Sequence, residues 1–220
     1  MAVKRLSAGG LAKNQPIAGI NRAAGKLAAF LVCIFLSLSN YAQAQNPQEW
    51  IAGRFTFSDE LGGFRIINVS GTGTRDDPVI IRQVFDSAYS GTLVIRSAPT
   101  FRPRIHSDLG APRGTIYMHL VTTNNTNLPW VGFGFELQEK LDKASTYSDG
   151  LSFDQLSRRR DDIYSDRFLD FEDQFEPGDR LVYTNGIVNN RTTVATRFVI
   201  TDFTPVPIFY LYQDPLIPAS

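Results

Sequence analysis

"GTIYMHLVTTNNTNLPWVGFGFELQ", Gly114 to Gln138, carries two β-prone runs joined by an Asn- and Thr-rich linker that ends in Pro129. Side chains alternate across a strand, so each run sorts into two faces. Ile116, Met118 and Leu120 share one face of the first run, and Tyr117, His119 and Val121 share the other. In the second run Val131, Phe133, Phe135 and Leu137 fall together, opposite Trp130, Gly132, Gly134, Glu136 and Gln138. A turn through Asn124–Leu128 predicts an antiparallel hairpin with Thr123 facing Trp130, His119 facing Gly134 and Tyr117 facing Glu136. That register gives one apolar face, a core, and a second face where Trp130, Tyr117, His119 and Glu136 surround two glycines. Glycines in a strand leave room for a ring, another backbone or a ligand. These four residues are the candidate ligand-binding set.

The same texture continues in both directions. "GRFTFSDELGGFRIINVSG" reads as two strands around a turn at Asp59–Gly63. "DPVIIRQVF", "GTLVIRS", "RLVYTNG", "TTVATRFVITDF" and "PIFYLYQ" are further short strands bounded by Gly, Pro, Asn and Asp. Many short strands with regular turns predict an all-β fold, a single antiparallel β-sandwich of immunoglobulin-like or jelly-roll topology. "FELQEKLDKA" is the one helical candidate, and a turn there is the alternative.

Between Ser145 and Asp179 the composition becomes charged while keeping Phe153, Phe168, Phe171 and Phe175. We read this stretch as a long excursion across the sandwich, with the phenylalanines as anchors and "RRRDD", Arg158 to Asp162, at its exposed tip.

The N-terminal 44 residues read as a cleaved signal peptide rather than as part of the fold. Lys4, Arg5, Lys13, Arg22 and Lys26 precede an apolar run, Leu27–Ser39, and then Ala42 and Ala44 at small-residue cleavage positions. The run is too short to cross a hydrocarbon core of ~30 Å as a helix; retention of the leader as an anchor is the alternative. The domain is expected from about Gln45 to Ser220, periplasmic or secreted, with no membrane span after cleavage. Cys33, the only cysteine, lies in the leader. The mature chain therefore has no disulfide, thiol nucleophile or thiolate metal site. Without the leader's bases it is mildly acidic and shows no basic stripe, which argues against a nucleic-acid partner.

Chemistry-bearing patterns are few. "NVSGTGTRDDPVII" resembles a phosphate loop only at first sight. It lacks a third glycine at the required offset and a Gly-Lys-Ser/Thr, and Pro78 opens a strand rather than a helix. A β-turn with Asp76 and Asp77 as caps fits better. His106, Ser107 and Asp108 are chain neighbours, which point to opposite faces and so form no catalytic relay among themselves. Acids crowd the excursion, from Asp149, Asp154, Asp161 and Asp162 through Asp166, Asp170, Glu172 and Asp173 to Glu176 and Asp179. They suit a solvated surface first, then a calcium site, then a glycosidase-type carboxylate pair. No catalytic residue and no cofactor is assigned, calcium being the one ion the acids would suit.

"FEPGDRLVYTNGIVNNRTTVATRFVITDFTP", Phe175 to Pro205, is similar to phrases of immunoglobulin-like modules in secreted bacterial proteins. "NNTNLPWVGFGFELQ" followed by "DGLSFD" resembles uncharacterised exported bacterial β-sandwich proteins. The resemblance implies fold and compartment and carries no reaction. The expected function is an exported, non-catalytic binding or structural module of the cell envelope, acting on a glycan, a peptide or an envelope protein. A secreted carboxylate-dependent hydrolase and a calcium-stabilised adhesion module are the alternatives.

Overall fold

An apolar face on every strand can be buried only against another such face, and two layers result. The computed structural model describes residues 48–97, 114–154, 160–204 and 206–219. The leader with Cys33, the His106–Asp108 run and Arg158 lie outside these residues. The strands are β1 (Trp50–Ala52), β2 (Phe55–Ser58), β3 (Arg65–Ser70), β4 (Val79–Phe85), β5 (Gly91–Ser97), β6 (Gly114–Asn124) and β7 (Gly132–Gln138), then β8 (Leu151–Phe153), β9 (Tyr164–Ser165), β10 (Phe168–Gln174), β11 (Arg180–Gly186), β12 (Thr192–Asp202) and β13 (Ile208–Leu216). One sheet has seven strands in the order β1-β2-β5-β13-β7-β11-β10. The other has six, β3-β4-β6-β12-β8 with β9 also on β12. The fold is an all-β sandwich. No helix among the described residues is long and apolar enough to cross a membrane.

The core follows the alternation except at Val131, which the pattern puts on the buried face and which is 39% exposed. Ile116, Met118 and Leu120 from one sheet are buried with Phe133, Phe135 and Leu137 from the other. Aromatic pairs join the layers: Phe85 meets Phe133 edge-on at 5.7 Å, and Phe135 meets Phe198 at 4.8 Å. Such pairs each contribute about 0.5–1.5 kcal/mol beyond their burial. Polar links cross the core as well. Gln83 Nε2 donates to Gln213 Oε1 at 2.5 Å and to Thr122 Oγ1 at 2.9 Å. The Tyr183 hydroxyl donates to the Arg197 carbonyl at 2.6 Å.

The expected hairpin is not formed. β6 lies between β4 and β12, whereas β7 lies between β13 and β11, in the opposite sheet. The linker is a crossover, and Asn124 explains why. Its side chain donates to the carbonyls of Leu128 and Val188 at 2.9 and 2.8 Å. It also accepts from the Thr126 backbone N–H and hydroxyl at 2.9 and 2.7 Å. With no exposed surface, it fastens the chain into a corner that turns from one layer to the other. The two apolar faces thus meet across the sandwich rather than side by side.

Similar crossings separate β2 from β3 and β4 from β5. Because the chain leaves the six-stranded sheet after β4 and returns at β6, those two strands run parallel. That pair departs from the expected wholly antiparallel arrangement.

The Ser145–Asp179 excursion is more regular than expected, since it supplies β8, β9 and β10. Phe153 and Phe168 are buried anchors, as predicted, and Phe171 packs at 6.3 Å from Tyr183. β10 is the edge of the seven-stranded sheet. Both of its faces are largely exposed, so "FLDFEDQ" shows no alternation to read. Within "FELQEKLDKA" the chain is strand to Gln138 and then a turn, closed by the Lys140–Lys143 bridge.

Candidate functional site

The four residues proposed from the sequence do not share a face. Trp130 has no exposed surface and packs on Phe85 and Phe133 at 5.8 and 5.4 Å. It is a core residue, drawn inward by the crossover. Glu136 sits on β7 opposite Arg180 and Tyr212, 3.5 Å from the Arg180 guanidinium. The glycine shelf is already filled. A Cβ on Gly132 would lie 2.8 Å from the Tyr183 carbonyl and 3.0 Å from Leu216 Cδ1, and Gly134 faces Asp214. Only Tyr117 and His119 remain together, on the outer face of β6. His119 is half-buried, and desolvation, then Arg197 and Arg82, hold its pKa below the usual imidazole value. Loss of the positive charge is thereby favoured.

Tyr117 instead belongs to a groove that the sequence did not reveal. The loop Gly71–Pro78 folds beside β6, with the Thr72 and Gly73 N–H groups donating to the Asp77 carbonyl at 3.1 and 2.9 Å. The Tyr117 N–H donates to the Gly73 carbonyl at 3.0 Å. Gly71 has φ +92°, and a Cβ there would lie 1.9 Å from the Pro78 carbonyl oxygen. The turn therefore requires glycine. A longer loop thus stands where the spacing predicts a single β-turn, closed by these bonds and by the Asp77 N–H on the Thr74 hydroxyl at 3.2 Å. Its product is the placement of Arg75, whose guanidinium lies 5.6 Å from the centroid of the Tyr117 ring.

Arg75 also donates through Nη2 to both carboxylate oxygens of Asp162. Asp162 comes from the short turn Arg160–Asp162 of the excursion. Farther along, Arg197 of β12 lies 5.6 Å over the ring of Tyr164, its register partner on β9. The groove has two arms that meet at Arg75 and Tyr117. The smaller, about 320 Å³, is lined by Arg54, Thr72, Thr74, Thr115 and those two residues, among others. The larger, about 490 Å³, adds Asp76, Asp161, Asp162 and Arg197. Both volumes are in the range of small-ligand sites.

Buried carboxylates lie elsewhere. Asp179 has no exposed surface and accepts from the Ser152 hydroxyl at 2.8 Å, while its Oδ2 has no partner among the described residues. Burial pushes its pKa up to about 7, partly countered by Ser152 and reinforced by Asp149 and Glu176. Asp202 is 6% exposed, and burial raises it to about 6 against the backbone donors of Thr204 and Val206. Neither carboxyl lines either arm of the groove. Among the described residues, no three His, Cys, Asp or Glu side chains converge as a metal site would need.

Compared with protein-family models, curated proteins and solved structures, the chain matches none.

Proposed function

We propose that this chain is an exported, non-catalytic binding module of the bacterial cell envelope, and that its ligand, a glycan, seats in the groove beside β6 and the Gly71–Pro78 loop. The observation that carries the reading is the guanidinium–ring contact of Arg75 with Tyr117 where the two arms of the groove meet, with Arg197 lining the larger arm. Sugars present apolar ring faces and rows of hydroxyls. Aromatic faces beside guanidinium and carboxylate groups match both. The strand that lines both arms, β6, is hydrogen-bonded on both sides by β4 and β12. An extended peptide would find no unpaired backbone to join there, so a glycan fits better than a peptide. The carboxyls that burial raises, Asp179 and Asp202, do not line the groove, and of the acids that do, Asp162 is held by Arg75.

The test is titration of isotopically labelled protein, expressed with its own leader, against neutral and acidic oligosaccharides. Resonances of Tyr117, Arg75 and Arg197 should shift together, and Tyr117→Ala should remove the shifts while the far-UV spectrum is unchanged. Oligosaccharides that leave these resonances unmoved, or that bind the Tyr117→Ala variant equally well, would refute the reading.

A further inference from the structure

We infer that the edge strand β10 is a docking site, and that it takes an extended, basic segment of a partner protein as an added strand. The inference stands apart from the groove, since no residue of β10 lines either arm. An open sheet edge carries backbone N–H and C=O groups ready to pair, and natural proteins blunt such edges with shortness, bulges, proline or charge. Among the described residues, the other edges are blunted by shape. β1 and β8 have three residues each, β9 has two, and β3 shifts register between Ile66 and Asn68. β10 lacks these devices. It runs for seven residues, "FLDFEDQ", with no proline and no register shift against β11, and among the described residues no strand lies on its other side.

What β10 carries instead is charge. Asp170, Glu172 and Asp173 are exposed, and so is Glu176 just beyond the strand. Asp170 accepts from Asn185 Nδ2 at 2.9 Å. Glu172 and Asp173 have no side-chain partner among the described residues. These acids disfavour a second copy, because β10 against β10 would set carboxylates beside carboxylates. They favour a strand of opposite charge, and alternation sets its pattern. Asp170 and Glu172 share one face, while Leu169, Phe171 and Asp173 share the other. Lys or Arg therefore belongs opposite the acids, and an apolar side chain opposite the exposed Leu169. The strand already receives one cation, for the Arg160 guanidinium lies 4.8 Å from the centroid of the Phe171 ring. Strand addition draws affinity from the backbone and specificity from such side chains.

The experiment is titration of isotopically labelled protein with a short peptide alternating lysine and valine, with its glutamate counterpart, and with the lysine peptide N-methylated on every backbone amide. The lysine peptide should move the amide resonances of Leu169 to Asp173, slow their hydrogen exchange, and bind ~10-fold more tightly than either of the others. Raised salt should weaken it. Reversing the charges together (Asp170→Lys, Glu172→Lys, Asp173→Lys), with the fold checked by circular dichroism, should reverse the preference towards the glutamate peptide. Equal binding of the N-methylated peptide would leave only charge attraction and overturn strand addition. Equal binding of the glutamate peptide, or an unreversed preference in the triple variant, would overturn selection by charge. Binding of none of the three, or shifts confined to other strands, would overturn the docking site. Exchange protection of β10 that grows with protein concentration in the absence of peptide would make the occupant a second copy and overturn the assignment of a partner.

Discussion

Asp179→Asn should make the protein more stable at pH 8 and not at pH 4. Asp179 is fully buried, one carboxylate oxygen has no partner, and its pKa is raised from 3.8 to about 7. The folded state therefore binds this proton more tightly than the unfolded chain does. Its contribution to stability is fully present below pH 3.8, falls as pH rises towards 7, and stays flat above. A shift of about three units is worth at most about 4 kcal/mol. Relaxation and water access around a buried charge reduce this, so about 2 kcal/mol is the expected gain at pH 8. Asparagine keeps the oxygen that accepts from Ser152 and removes the charge. At pH 4 the native aspartic acid is already neutral, and the two proteins should differ little. Urea unfolding at intervals from pH 4 to 8, read as midpoint and slope, gives the difference curve directly. Asp202, raised to about 6, adds a slope of the same sign to both proteins and largely cancels in the difference. A pH-independent difference, or a variant less stable than the parent at pH 8, would refute the account of Asp179 as a buried, strained acid.

Three further outcomes follow from the packing. Trp130→Ala should destabilise by about 3–5 kcal/mol, as expected for removal of a buried aromatic, and equilibrium unfolding measures it. A fully folded variant with altered ligand binding alone would return Trp130 to the surface set. Gln83→Leu should cost about 1–3 kcal/mol by leaving Gln213 without its amide partner, whereas the double change Gln83→Leu with Gln213→Leu should recover most of the loss, a coupling a double-mutant cycle reads out. Neutralising the acids of the edge strand β10 (Asp170→Asn, Glu172→Gln, Asp173→Asn) beside Leu169, which is 81% exposed, should promote self-association. Sedimentation of the triple variant at increasing concentration tests this, and a persistent monomer would mean the acids do not guard the edge.

The sequence's success and its failure have one physical origin. Alternation reports which side chains of a strand point the same way, and it reports nothing about which strand lies alongside. Ile116, Met118 and Leu120 were legible as core, and so were Phe133, Phe135 and Leu137, because each set repeats every second residue. That the two sets face each other across a sandwich, rather than lining one hairpin, depends on Asn124. Its four side-chain hydrogen bonds reach Val188, far along the chain. In the sequence Asn124 is one polar residue in an Asn- and Thr-rich linker, and nothing local distinguishes a hairpin turn from a buried corner. The error then propagated. A hairpin register placed Tyr117 beside Glu136, whereas the real register partner of Tyr117 is Val199 on β12.

The groove was illegible for the same reason. Arg75, Asp162 and Arg197 come from a loop, the excursion and a strand, and only the sheet order brings them to Tyr117. What the sequence did carry was the means of presenting Arg75. Gly71 and Gly73 allow the tight turn before it, and Pro78 starts the strand after it. A surface arginine on a glycine-constrained turn beside a central strand is therefore the signal that could have been weighed. It outranks an aromatic residue beside strand glycines, because buried tryptophans and strand glycines are what a core and its close-packed neighbours already require.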